Sequence, residues 1–400
     1  MSIPKSWIPQ LAWASYDFAN TLFSMNIISL YFALWVTREQ GGKDLYYSLV
    51  HAASVLVVMM LAPGLGCRAD ERGKTKSFLI AATLICIAAT ALIGILNKLG
   101  WGLFFFFLAN IGFQLGLVFY DSLLPSVAAE KDYGTVSGFG VALGYLGAIA
   151  GIFLVTPFVE VHGQIFRSRA FVPTAFYFLL FSLPCFILVQ DRKSKLETAK
   201  RSSGLNLLEL RTKQPAVFFY LASMFLLQNA ANTVILFMSV YATEVGHFSQ
   251  HALSIFLSVS TVTAVFASFG FGQLVDRIGA LKVFQITIGV WIAGLIGALF
   301  GNNPPVLWVA GSLMGVGLGG LWTASRPLLL SLIPKNETGA YFGLNAFAGR
   351  FSALIGPLLW GLVVWILEPW GIFRYYAAIS VLILFACASG VVSREIKVVK

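Results

Sequence analysis

Twelve long apolar runs constrain this chain more than any other feature. They fall at roughly 11–36, 45–65, 77–96, 101–128, 135–159, 171–189, 216–242, 252–275, 282–300, 306–333, 339–367 and 372–392. Crossing a hydrocarbon core of about 30 Å takes about 20 helical residues, and inside lipid every backbone N–H and C=O must be satisfied internally. Runs of this length predict helices. A transmembrane β-barrel would instead alternate polarity over segments of about ten residues. With 58% of residues hydrophobic and 11% charged, against about 25% charged in an ordinary soluble domain, the chain reads as an all-α membrane protein of twelve transmembrane helices.

The first run is too long for a signal peptide and carries Asp17 and Asn20 where a signal core is apolar. It reads as the first permanent span. Cys67, Cys86, Cys185 and Cys387 lie far apart without CxxC or Cys/His spacing, so they predict buried thiols rather than a disulfide framework or a zinc site. His247 and His251 are four apart in a connection, without a third ligand. No metal and no cofactor is expected.

The net charge of +10 would suit nucleic acid, but its distribution gives another reason for it. With the N-terminus inside, the even-numbered connections and both tails hold nineteen Lys and Arg, from Lys5 and Arg68 to Lys400, against six on the opposite side. That asymmetry follows the positive-inside rule and predicts cytoplasmic termini. The basicity is topological, and the expected macromolecular surroundings are a lipid bilayer, not nucleic acid.

After the second run the chain reads Pro63-Gly64-Leu65-Gly66-Cys67-Arg68-Ala69-Asp70-Glu71-Arg72-Gly73-Lys74. Its glycines suit a tight turn, and Asp70 is expected to cap or pair locally. The spacing Gly66-x3-Asp70-x2-Gly73 recurs as Gly272-x3-Asp276-x2-Gly279, shifted by 206 residues. Gly134, Gly138, Gly144 and Gly151 likewise match Gly339, Gly343, Gly349 and Gly356 at a constant shift of 205. More loosely, Asn20-Thr21 recurs as Asn232-Thr233. The chain is a duplication, with two pseudo-symmetric six-helix halves expected at 1–189 and 215–400. Between them lies a polar linker, 190–214, in which Leu205, Leu207, Leu208 and Leu210 suit an amphipathic segment on the membrane surface. Glycines crowd the fifth run (Gly138, Gly140, Gly144, Gly147, Gly151) and the tenth (Gly311, Gly315, Gly317, Gly319, Gly320), a pattern that predicts close helix packing more than flexibility.

Sorting charges by segment leaves Asp17, Asp121, Arg326 and Arg350 inside spans. Both acids fall in one half and both bases in the other, and Asp121 shifted by 205 is Arg326. At 1.5 Å per residue, each lies six to twelve residues from its cytoplasmic end. Unpaired, four such charges would cost on the order of 12 kcal/mol. Cross-half pairing as an inner gate is the expected arrangement; a static buried pair, and a proton-carrying role for Asp17 or Asp121, are the alternatives. Asn20 and Asn229 join these four as substrate or gating candidates.

The Gly66, Asp70, Gly73, Lys74 spacing resembles the loop signature of the major facilitator superfamily, with Thr75 departing from its second basic position. Three further motifs resemble the narrower "unknown major facilitator" family, which includes fungal vacuolar amino-acid effluxers associated with autophagy. They are Tyr16-Asp17-Phe18-Ala19-Asn20-Thr21, then Val136-Ser137-Gly138-Phe139-Gly140 continuing to Gly144-Tyr145-Leu146-Gly147, and Ser325-Arg326-Pro327 with Phe342-Gly343-Leu344 and Gly349-Arg350. Phe18 stands in place of a commoner Trp, and Arg350 where Lys is frequent. The resemblance implies a secondary transporter exporting neutral amino acids. Its substrate site would lie between the halves near the midplane. The short loops suggest a cytoplasmic membrane rather than a vacuole.

No Walker motif is present, and no cluster of His, Asp or Glu at one interface suggests a membrane enzyme. The expected protein is a monomeric carrier of a small polar metabolite, an amino acid first, with a proton or sodium ion as the coupled ion. Organic anions, nucleosides and peptides are alternative cargoes, and a non-transporting receptor or scaffold is the rival reading.

Overall fold

The computed structural model describes residues 7–161, 163–191 and 207–397. Among the described residues twelve helices are long and apolar enough to cross a membrane: Ile8–Glu39, Tyr46–Arg72, Thr75–Leu96, Leu99–Ser122, Glu130–Val159, Arg167–Leu188, Pro215–Glu244, Ile255–Ile278, Ala280–Ala298, Pro304–Leu332, Thr338–Ile366 and Phe373–Ser393. They are spans one to twelve below. Among the described residues the only strands form a two-residue antiparallel pair, Glu160–Val161 with Gln164–Ile165.

The ends of these helices have local causes. Pro215 and Pro304 begin spans seven and ten, where the missing N–H of proline forfeits no helical bond. Ser249 caps the helix Gln250–Ile278, its hydroxyl accepting from the Ala252 amide at 3.2 Å. Span two runs on through Pro63 to Arg72, so most of the stretch expected as a connection is helix. The turn itself is brief: Gly73, at φ 57°, supplies the left-handed residue that ends the helix.

Span four stops at Ser122, short of the expected 128. Pro125 is the reason, because it has no N–H for the Asp121 carbonyl and its ring crowds that oxygen. The chain turns instead through a Leu123 amide bond to Tyr120 O at 3.1 Å, and a four-residue helix, Leu124–Val127, follows. Asp121 thus sits in the last turn of its helix. Span one carries two π-helical stretches, Ser24–Tyr31 and Trp35–Glu39, which nothing in its apolar pattern announces.

The chain forms two compact units. One comprises Met1–Glu130, Phe139–Ser202 and Lys335–Leu344; the other comprises Lys131–Gly138, Ser203–Pro334 and Asn345–Lys400. The beginning of span eleven therefore belongs with the first unit, and the beginning of span five with the second. Of the expected linker, residues 192–206, including Leu205, lie outside the described residues. The short helix Leu207–Lys213 is described, and its Leu210 is buried.

Glycines make the close contacts inside each unit. In the first, Gly144, Gly147 and Gly151 of span five ride on span one, where added Cβ atoms would meet Thr21, the Phe18 backbone, and Leu22 with Asn26. In the second, Gly311, Gly315 and Gly319 of span ten face Phe256, Ser260 and Ala264 of span eight, while Gly317 and Gly320 face Trp291 and Thr287 of span nine. The span-ten glycines at four-residue spacing line one helix face, and the other two serve a second neighbour. Packing accounts for these glycines.

Candidate functional site

In the first unit, Asp17 and Asn20 are buried on span one, 6% and 4% exposed. Gly140 leaves room for Asp17: a Cβ there would lie 3.1 Å from Asp17 Oδ2 and 3.2 Å from the Tyr120 hydroxyl. Aromatic rings enclose the place. Trp13 stacks on Tyr120 at 4.3 Å and Tyr16 on the same ring at 5.0 Å, while the Tyr16 and Thr83 hydroxyls are hydrogen-bonded at 2.8 Å. The Trp13 indole N–H donates to the Tyr120 carbonyl at 3.1 Å. That carbonyl immediately precedes Asp121, so the clasp fixes the backbone from which this carboxylate projects. The Asn20 Oδ1 has no hydrogen-bond partner among the described residues.

The second unit repeats the clasp with different side chains. The Tyr220 hydroxyl lies 3.2 Å from the Ser325 carbonyl, immediately before Arg326, and 3.2 Å from Asn345 Oδ1. Tyr120 and Ser325 are related by the same 205-residue shift that relates Asp121 to Arg326. Pro327 follows Arg326 inside the helix and deprives the Thr323 carbonyl of its donor. The Ser137 hydroxyl replaces it, donating to Thr323 O at 2.9 Å. A proline that would otherwise break span ten is thereby accommodated.

Arg350 donates from Nη1 to the Ala346 carbonyl one turn earlier, at 3.0 Å. Asn229 is fully buried on span seven, its Nδ2 donating to Phe225 O at 2.7 Å and its Oδ1 without a partner among the described residues. Asn232 donates to Ser352 at 3.1 Å.

These contacts revise one match drawn from the sequence. The clasp pairs Trp13 with Tyr220, a shift of 207, whereas Asn20-Thr21 and Asn232-Thr233 are 212 apart. The resemblance of those two pairs is therefore out of structural register by five residues. Asp17, Asn20 and Asp121 lie in the first unit, and Asn229, Arg326 and Arg350 in the second.

The two repeated turn motifs do something that local pairing does not describe. Asp70 accepts from the amides of Gly339 and Ala340, at 3.0 and 2.9 Å, 269 and 270 residues away. Asp276 accepts from the amides of Gly134 and Thr135, both at 2.7 Å. Each carboxylate thus caps a helix whose first amides lack intrahelical partners and whose dipole favours negative charge there. The expectation of a local cap at Asp70 is corrected accordingly. Gly66 and Gly272 make this approach possible: a Cβ on Gly66 would collide with the Gly339 carbonyl, and one on Gly272 would lie 2.7 Å from that of Gly134. Lys74 is exposed and immediately precedes span three, and Gly279 ends span eight with φ 93°.

Two further acids cap distant helices in the first unit. Glu39 accepts from the amides of Arg167 and Ser168, and Asp191 accepts from Lys76 N at 2.7 Å. Burial pushes the Asp191 carboxyl above its ordinary range, although that amide bond pulls the other way. Among the described residues no group of three or more His, Cys, Asp or Glu could hold a metal. His247 occupies a left-handed turn at φ 52°, and the His251 side chain lies outside the described residues.

The sequence signals for Asp17, Asp121, Arg326 and Arg350 were their charges. Trp13, Tyr120, Tyr220, Ser137 and Ser325 escaped that reading because their bonds run to or from backbone carbonyls, which carry no residue signature. The 205-residue shift could have pointed to Tyr120 and Ser325, though not to the donors.

A family profile described as vacuole effluxer Atg22 like matches residues 44–134 and 130–389. An uncharacterized protein of Aquifex aeolicus (strain VF5) is 28% identical over 92% of both chains. An uncharacterized MFS-type transporter, YxiO, of Bacillus subtilis (strain 168) is also 28% identical, over 87% of this chain and 86% of that one. Among solved structures, a bacterial homologue of the iron transporter ferroportin in an outward-facing state aligns with TM-score 0.78 at 16% identity, covering 97% of this chain and 98% of that one. The transporter FucP in its outward conformation aligns with TM-score 0.75 at 13% identity, over 96% and 99%. At such identities these likenesses show the major facilitator fold.

Proposed function

The chain belongs to the Atg22-like vacuole effluxer family and is a secondary transporter of the major facilitator type, and from that premise we propose that it carries an amino acid by alternating access. One observation carries the cargo class. Each repeat holds a half-buried ionisable residue directly after a clasped carbonyl, and the two have opposite charge: Asp121 behind Tyr120, Arg326 behind Ser325. A zwitterion presents the complementary pair, an ammonium for the acids and a carboxylate for the arginines, and neither end then remains uncompensated in a site of low dielectric. Asp17, Asn20, Asp121, Asn229, Arg326 and Arg350 are the proposed substrate and gating residues.

The carboxylate caps supply the moving part. A carrier must make and break bonds as it alternates, and the Asp70 and Asp276 caps each join a helix beginning to a turn far away in the chain. They are proposed as latches closed in one state and open in the other. The positive-inside charge distribution supports cytoplasmic termini and suits the cytoplasmic membrane, and the reading includes a monomer with a proton or sodium ion as the coupled ion.

Counterflow of labelled leucine in proteoliposomes tests the reading. Exchange without added energy supports it; saturable binding without exchange indicates a receptor, and exchange of organic anions but not leucine assigns the arginines alone to the cargo. Asp121→Arg and Arg326→Asp should each reduce exchange at least tenfold, and the double reversal should partly restore it. Two inactive single variants with an equally inactive double, all normally folded, would argue against a paired role.

A further inference from the structure

His51 lies seven residues into the helix Asp44–Arg72 that contains span two, about 10 Å along its axis. Its ring faces Tyr47 on its own helix at 5.8 Å and Phe106 of span four at 6.3 Å. Asn110 of span four is fully buried beside it. The Asn110 Nδ2 donates to Ser54 Oγ at 2.6 Å and stands 3.5 Å from His51 Nδ1, while Ser54 donates to the His51 carbonyl at 2.7 Å. The Asn110 Oδ1 has no partner among the described residues. A buried carbonyl oxygen without a donor is costly, and here it belongs to the residue that touches the imidazole.

We propose that His51, Asn110 and Ser54 form a proton-binding site that makes transport pH-dependent. This deepens the carrier reading by naming the proton as the coupled ion. With neutral imidazole in the tautomer that carries its hydrogen on Nε2, Nδ1 accepts and the Asn110 Nδ2 points toward it at 3.5 Å. When a proton binds at Nδ1 that nitrogen becomes a donor, and rotating the amide by half a turn brings Oδ1 to meet it. The rotation gives Oδ1 the donor it lacks and also brings it to Ser54 Oγ, so the Ser54 hydroxyl swings from the His51 carbonyl to donate to Oδ1, and Nδ2 becomes the unpartnered amide atom. Nothing else in the site changes charge.

Lys43 precedes the helix of His51 and Lys98 precedes span four, while Arg68, Glu71 and Arg72 lie at the far end of His51's own helix and Asp17 lies toward the start of span one. Tyr47 donates its hydroxyl to the Ile28 carbonyl of span one at 3.1 Å. Arg38 and Glu39 stand at the end of span one, with Glu39 held by the amides of Arg167 and Ser168. Asp121 lies at the opposite end of span four, and Lys76 and Glu337 lie toward the Asp70 end of span two. The site therefore rests on a polar amide rather than on a counter-ion, which suits a group that must both take up and release its proton near neutral pH.

Ring-labelled histidine NMR of the full-length protein in lipid nanodiscs tests this, with the His51 signal assigned by its loss in His51→Gln. The signal should titrate between about pH 5 and 8. Asn110→Leu, which removes the acceptor, should lower its midpoint by about half a unit, roughly threefold in proton affinity. Asn110→Asp should raise it, a change of opposite sign that a merely structural role would not produce. A His51 signal that does not titrate in this range, or a midpoint unmoved by Asn110→Asp, overturns the proposal. In proteoliposomes, leucine counterflow should change at least threefold between pH 5.5 and 8, and His51→Gln should flatten that profile; a wild-type profile in the variant also overturns it. Absence of leucine exchange in the unmodified protein would instead count against the amino-acid cargo, with the NMR titration still deciding the proton site.

Discussion

Asp70 and Asp276 perform the same task in the two units, whereas Asp121 and Arg326 occupy equivalent positions and carry opposite charge. Both pairs descend from one duplicated segment, so the difference reflects what each contact requires. A helix beginning offers unpartnered amides and positive dipole whichever repeat it belongs to, and only a short carboxylate can reach two of them in the space that Gly66 and Gly272 leave. The caps therefore stayed alike. The clasps of Tyr120 and Ser325 need only a donor for a carbonyl, which an indole or a phenol supplies equally well. The residue that follows each clasp was free to become acid in one repeat and base in the other.

The equivalence of the two turn motifs can be broken most severely at the glycines. Gly66→Val and Gly272→Val force a side chain onto a facing backbone that cannot retreat; the Cβ of the second would lie 2.7 Å from Gly134 O. Each should destabilise the protein by about 3 kcal/mol or more, read as a lowered thermal midpoint in detergent. Gly64→Val, at a glycine with open space, should show much less. A mild effect at one of the two motif positions and a severe one at the other would show that the repeats are not equivalent there.

Replacing the caps is a smaller perturbation. Asp70→Asn and Asp276→Asn keep an acceptor but lose its charge and one of its two oxygens, and each should cost about 1 kcal/mol. Equal losses sharpen the comparison, and a loss confined to one variant breaks it. An effect of similar size, which vanishes in a second background, concerns an unshared device. Ser137→Ala should cost about 1 kcal/mol by orphaning the Thr323 carbonyl, but close to nothing in a Pro327→Ala background, where the helix can supply its own donor. A double-mutant cycle without that coupling would remove Ser137 from the account of span ten.

Hydrophobic length made the twelve helices legible in the sequence, and the recurrence of Gly66, Asp70 and Gly73 made the duplication legible. The apolar run of span four continues six residues past the helix end at Ser122, because Pro125 acts through a carbonyl that a hydropathy pattern does not register. The π-helical stretches of span one were invisible for a similar reason, since their residues are ordinary and only the hydrogen-bond register differs. Asp17 and Asp121 announced themselves by charge, but the aromatic enclosure around them did not, because Trp13, Tyr16 and Tyr120 are unremarkable residues in a chain with 14% aromatics.

The sequence by itself determined that the chain spans a membrane as a duplicated set of helices, because lipid imposes length, continuity and internal backbone bonding on each segment independently of its neighbours. Tertiary structure decided what the polar residues do within that frame. Asp70 and Asp276 meet amides more than a hundred residues away, Trp13 and Tyr220 meet carbonyls, and His51 meets an amide with an unused oxygen. Those partners are backbone atoms or distant side chains, identical in kind all along the chain, and only the packed helices select among them.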